Sequence, residues 1–175
     1  MRAKRRCNGS LIAEMPAAMW MLFLVFTIPL IDLATISLRT TFLVTATHDA
    51  AHMAARAKSF QTAYDANDPS AQQSAQNQVA QDLTKFPQIK TTSVLTNLVI
   101  TNITTSATVR QKTPLAQPAD TSSNTYTIEV VVTAQVNPLI TFNSSLFGNI
   151  PGLSAPVTVA CAAQEFAEYP QGLTQ

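Results

Sequence analysis

His48 and His52 are the first side chains in this sequence whose types and spacing suggest chemistry. Four residues apart on a helix, they share a face, and HDAAH has the spacing of a zinc-protease signature. The second position is aspartate, however, and the chain holds only 2 histidines, so no third histidine completes a site. Two histidines alone make a weak metal site. The expectation is a partly exposed helix face with no metal. The 2 cysteines, Cys7 and Cys161, lie at opposite ends of the chain. Strand alternation turns Cys161 toward the core, where it behaves as a small hydrophobe. Asn102-Ile103-Thr104 and Asn143-Ser144-Ser145 match the glycosylation sequon, a frequent chance match in a threonine-rich chain. No serine, cysteine or carboxylate constellation suits catalysis, and no glycine-rich loop suits a phosphate. No enzyme activity and no cofactor are expected.

The carboxylates near the N-terminus are more informative. Met15–Ile31 carries no charge, and from Ser10 to Leu38 only Glu14 and Asp32 are charged. A membrane-spanning helix needs about 20 mostly apolar residues, and this stretch qualifies. Insertion scales put an acid at the centre of such a helix at a cost of about 2.5–3.5 kcal/mol, less toward the ends. Three readings fit the N-terminus. It is a plain signal anchor, a secretory signal peptide cut near Thr35-Ile36-Ser37, or a short basic head cut off between Gly9 and Ser10. The last reading accounts for Glu14. It becomes the fifth residue of the mature chain and can pair with the new terminal amine of a neighbouring subunit, which is cationic at neutral pH. That pair would set register between packed helices. The alternative places Glu14 in the headgroup region with no partner. Asp32 falls at the outer membrane boundary or pairs within an assembly. Arg39 is seven residues on, nearly two turns, so a bond between them within the helix is not expected.

Composition agrees with an anchored, exported chain. Of 175 residues, 46% are hydrophobic and 12% charged, against roughly 25% charged in a typical soluble domain. The net charge of +1 argues against a nucleic-acid partner. It is the sum of two unequal parts. Arg2, Lys4, Arg5 and Arg6 precede Gly9 without an acid, and the remainder carries 10 acidic residues against fewer basic ones. The positive-inside rule keeps the basic head in the cytoplasm and sends the body outward. In a bacterium that is the periplasm. Trp20 then sits at or just inside the cytoplasmic interface.

The elements that position these residues follow from periodicity. No glycine occurs between Gly9 and Gly148, which favours long regular elements over glycine turns. A helix is predicted from Ala17 to about Ala63, kinked at Pro29. Ile36, Leu43, Ala46, Ala50, Met53 and Ala57 form its packing stripe. Asp65–Pro69 breaks the chain. Asp68 then caps a second helix running to about Phe86, with Ala71, Ala75, Val79, Leu83 and Phe86 buried and the glutamines in solvent. Three strands are predicted. The first lies within Ser93–Lys112, with Val99, Ile103, Ala107 and Val109 on one face. The second is Tyr126–Val136, whose strict alternation marks a half-buried strand. The third is Ala155–Glu165. Between the last two, apolar Leu139–Leu153 reads as a short helix or a loop that touches the membrane or a partner. The predicted fold is α+β, with helices on one face of a small antiparallel sheet.

A basic leader ending in Gly9, then Glu14, then an apolar helix resembles the class III leader of type IV pilins. The run GSLIAEMPAAMWMLFLVFTIPLIDLA resembles the start of the TadE-like proteins of the tight-adherence pilus system. DAAHMAARA, from Asp49, is similar to that family's alanine-rich helix. Tyr126–Glu168 resembles its C-terminal pattern, with Asn137-Pro138-Leu139 ending a strand. Met15, Pro16 and His52 depart from the family's usual residues. The resemblance implies a pseudopilin-like layout: a leader over 1–9, a transmembrane helix over 10–38 and a periplasmic α+β domain over 39–175. It implies that a membrane prepilin peptidase cuts after Gly9, so that Ser10 becomes the N-terminus. The implied partners are other pilins or pseudopilins and the pilus assembly platform at the bacterial inner membrane. The implied role is in assembly, export or initiation of a thin pilus. Two alternatives remain: an unprocessed, signal-anchored periplasmic adaptor of a secretion apparatus, and a metal-dependent enzyme using His48 and His52.

Overall fold

A computed structural model describes residues 10–141 and 150–175, with side chains from Met15 onward. The leader, Cys7, Gly9, the Glu14 side chain, the Asn143 sequon and the middle of Leu139–Leu153 lie outside the described residues.

The architecture is α+β. Helix α1 spans Ser10–Ala55 and α2 spans Ala71–Leu83. Strands β1 (Ile89–Asn102), β2 (Thr108–Gln111), β3 (Asn124–Val136) and β4 (Val157–Phe166) form one antiparallel sheet in the order β2-β1-β3-β4. A short 3-10 helix, Pro170–Thr174, ends the chain. Helix α1 packs over β3 and β4, and α2 packs against α1 and β1.

From Met15 to Phe26, α1 is a bare apolar rod. Met15–Phe26 are all exposed, and α1 continues unbroken through Pro16 and Pro29. Among the described residues it is the one helix long and apolar enough to cross a membrane. The C-terminal half of α1 is part of the domain. Leu43, Ala46, Thr47, Ala50, Ala51 and Ala54 are buried against the sheet at three- and four-residue spacing. Small side chains let the backbone come close. The Thr47 hydroxyl donates to the Leu43 carbonyl at 2.7 Å, which lets a polar residue sit on that face. Met53, predicted on the stripe, is 42% exposed, because the buried line runs through Ala50, Ala51 and Ala54 and leaves Met53 at its rim.

Three predicted boundaries are corrected. Helix α1 stops at Ala55 rather than near Ala63, because tertiary bonds replace helical ones. The Ala55 carbonyl accepts from the Glu168 N–H at 2.9 Å. The Phe60 and Gln61 N–H groups donate to the Gln175 carbonyl at 2.8 and 2.9 Å, and Phe60 is fully buried. The cap of α2 is Ser70, whose hydroxyl accepts from the Gln73 N–H at 3.3 Å. Asp68 instead receives Lys58 Nζ at 2.7 Å. The buried face of α2 is Ala71, Ala75, Val79 and Leu83, with Phe86 half-buried beyond its end.

The largest departure is in the sheet, which has four strands where about three were predicted. The predicted strand within Ser93–Lys112 is a hairpin of β1 and β2. Asn102 Oδ1 accepts from the Thr104 and Thr105 N–H groups at 3.0 and 2.9 Å, an Asx turn. Ser106 takes the positive φ of 55° that glycine would usually supply. The turn carries Ile103 and Ala107 out to solvent, and Val109 follows on the exposed edge. In β3 the alternation is as predicted: Tyr126, Ile128, Val130, Val132, Ala134 and Val136 are buried under the helices.

Candidate functional site

The polar residues of α1 nearest the bare apolar rod meet the chain that leaves β3. Asp32 lies one residue past the charge-free run and is fully buried. Its Oδ1 accepts from the backbone N–H groups of Leu139 at 3.1 Å and Ile140 at 3.0 Å. Its Oδ2 has no hydrogen-bond partner among the described residues. Two turns further on, the Arg39 guanidinium donates to the Asn137 carbonyl. Asp32 and Arg39 therefore do not bond each other. They grip opposite polarities of one backbone segment, N–H groups below and a carbonyl above. Pro138 between them is buried and has no N–H to satisfy.

The same stretch of α1 also seats the return of the chain toward β4. Gly152 has φ of +88°, and a Cβ there would stand 3.1 Å from Ile36 Cδ1 and 3.3 Å from Val157 Cγ2. Between Asp32 and Arg39, then, α1 holds both described ends of the segment that links β3 to β4. Nearby threonines are neutralised locally. The Thr35 hydroxyl donates to the Ile31 carbonyl at 2.8 Å and the Thr40 hydroxyl to the Ile36 carbonyl at 2.9 Å. A hydroxyl tied to the preceding turn presents mainly its methyl outward.

A second polar constellation lies on the sheet face away from the helices, and sequence reasoning missed it. Glu129 is 7% exposed. Its Oε1 accepts from Gln164 Nε2 at 2.7 Å and its Oε2 from Asn97 Nδ2 at 2.9 Å. Arg110 Nε stands 3.4 Å from Oε2. All four strands contribute, since Asn97 is on β1, Arg110 on β2 and Gln164 on β4. Both carboxylate oxygens are satisfied, which suits a structural tie between the strands. The isolated acid within β3 was the only signal in the sequence.

The other sequence candidates are dispersed. His48 and His52 are both exposed on α1. No group of three or more potential metal-ligating side chains forms among the described residues. Cys161 is half-buried beside the core, and burial pushes its thiol above the ordinary range. A stable thiol is a poor nucleophile. The Asn102 side chain is occupied by its turn and by Asn124 Oδ1 at 3.3 Å. Backbone is described from Ser10 onward, and Ser10 begins α1 with Glu14 in its second turn. Comparison with family models, with curated proteins and with solved structures finds no match to this chain.

Proposed function

We propose that this protein is a TadE-like pseudopilin. It serves, without catalysis, the assembly, export or initiation of a tight-adherence pilus at the bacterial inner membrane. The observation that carries the reading is helix α1. One continuous helix of 46 residues is an exposed apolar rod from Met15 to Phe26 and ends as the packing element of an α+β domain. A subunit built this way can shift along its neighbours by helix packing alone while its domain stays outside the bilayer. That is the mechanical requirement of a pilus-type assembly. Gly9 and Glu14 add the processing half of the reading. A prepilin peptidase removes the basic head at Gly9, and the Ser10 amine then pairs with Glu14 of an adjacent subunit.

In this role the domain contributes rigidity. Asp32 and Arg39 bind the domain to α1 at the point where the helix leaves the apolar run. Force or displacement along α1 then passes directly to the sheet. The test is surface attachment in cells that carry the pilus system and either G9V or E14A. Loss of attachment, with the variant still present in membranes, is expected. Full attachment by both variants would contradict the proposal and favour the unprocessed, signal-anchored adaptor.

A further inference from the structure

We infer that the corner joining α2 to β1, residues 84–90, rests on anionic lipid headgroups at the outer face of the membrane that α1 crosses. The inference rests on the reading of α1 as a membrane span. It goes beyond that reading by giving the domain a second footing, to one side of the helix.

Level is the first argument. About 20 residues cross the hydrocarbon, and beyond it lies a headgroup layer about 5–8 Å deep. Counted from Met15, the start of the charge-free run, the span ends at Ala34. Arg39, at about 1.5 Å per residue, stands roughly 8 Å further out, among the headgroups. The corner is tied to that level by contacts. The Arg39 guanidinium donates to the Asn137 carbonyl, and the Asn137 N–H donates to the Gln88 carbonyl at 3.1 Å. Ile89 and Lys90 pair with Val136 and Gln135. The Phe86 ring stacks on Phe42, about one turn above Arg39, with centroids 4.3 Å apart. Helix α2 thus brings its C-terminal end toward the membrane. Its other end is far from it, where the Ala71 N–H donates to the Ser59 carbonyl at 2.9 Å.

Charge is the second. Away from the membrane, Arg56, Lys58 and Arg110 each face an acid, at 3.7, 2.7 and 3.4 Å. At the corner, Lys85 and Lys90 are exposed and form no ion pair among the described residues, and neither does Arg39. Lys112 is also unpaired, but it lies beside Gln72 at the opposite end of α2. No acid occurs between Asp82 and Asp120 in the sequence. Two acids stand behind the corner rather than on it. Both oxygens of Asp82 accept from Gln78 Nε2 at 3.0 Å, and Asp49 is seven residues beyond Phe42, roughly 10 Å further from the membrane. The cations left without protein partners therefore gather where lipid phosphates would supply them.

The apolar groups are the third. Leu38 and Phe42 are 58% and 38% exposed, and they carry apolar surface from the rod up to the Phe86 ring. Phe86 is half-buried and Pro87 exposed, and both lie between the two lysines. Lysine stems lying over apolar surface, with their charged heads at phosphates, suit an interface.

The test uses the full-length chain in vesicles of phosphatidylcholine alone, or of phosphatidylcholine and phosphatidylglycerol in equal parts. All lipids carry bromines near the headgroup end of the acyl chain. Trp20 is the only tryptophan. W20F/Q88W reports on the corner, at an exposed side chain, and W20F/Y64W, beyond the far end of α1, is the aqueous control. A tryptophan's own preference for an interface is common to both vesicles, so the difference between them reads the charge. Stronger quenching at position 88 with phosphatidylglycerol is expected, reversed by about 0.5 M salt, with none at position 64. Each lysine near an anionic surface is worth about fivefold in the docked population, so adding K85Q/K90Q should abolish the difference. Equal quenching at position 88 in the two vesicles, or a difference unmoved by K85Q/K90Q, overturns the inference. The unaltered protein tests the span separately. If Trp20 is not quenched in either vesicle, the reading of α1 as a span fails and the inference falls with it.

Discussion

Single residues carry the long-range ties in this fold. Glu129 is the clearest case, one carboxylate joined to side chains from the three other strands. Removing it leaves the Asn97 and Gln164 amides without their acceptor and Arg110 without its counter-charge. E129A should therefore destabilise the full chain by about 1 kcal/mol, the net worth of a lost hydrogen-bonded tie, because the Gln164, Arg110 and Asn97 groups left behind are exposed or half-buried and can turn to water. Chemical denaturation in detergent, followed by sheet ellipticity, measures it. A loss no larger than that of E165A would mean the tie is incidental. Asp32 works in the same manner between helix and link. The sequence indicated that Asp32 and Arg39 do not bond each other within the helix, and left Asp32 at the outer membrane boundary or with partners in an assembly. It could not show their actual partners, because these are backbone groups about a hundred residues away, and a backbone N–H carries no signature in the residue type.

At the scale of elements, legibility followed how local the cause was. β3 was readable because its alternation is written in consecutive residues. The buried face of α2 was readable for the same reason. The end of α1 was not, because nothing near Ala55 stops a helix. Bonds from Glu168 and Gln175 and the burial of Phe60 do so. The β1–β2 hairpin was hidden because its turn uses Asn102 and a positive-φ Ser106 in place of glycine. The cap of α2 was off by two residues because Asp68-Pro69 imitates a start signal that Ser70 actually supplies. That correction is testable. S70A should cost about 1 kcal/mol, as loss of a helix cap does, and should speed amide exchange at Gln73. D68A should leave Gln73 protected, since Asp68 serves an exposed pair with Lys58. Equal exchange at Gln73 in the two variants would show that the cap is shared.

For the whole molecule, the organising feature is a gradient along α1, from bare apolar surface at Met15 to complete burial at Leu43 and Ala50. Two environments are matched by one uninterrupted helix, and Asp32 and Arg39 mark the change between them. The net charge follows the same division, with the excess positive charge confined to the residues before Gly9. The central claim is that those residues are a leader and that the working protein begins at Ser10. Intact mass and N-terminal peptide mass of the protein, taken from cells that make a prepilin peptidase, test it most directly. The account predicts a chain starting at Ser10 and lacking Met1–Gly9. A chain that retains Arg2–Arg6 in those cells would contradict it.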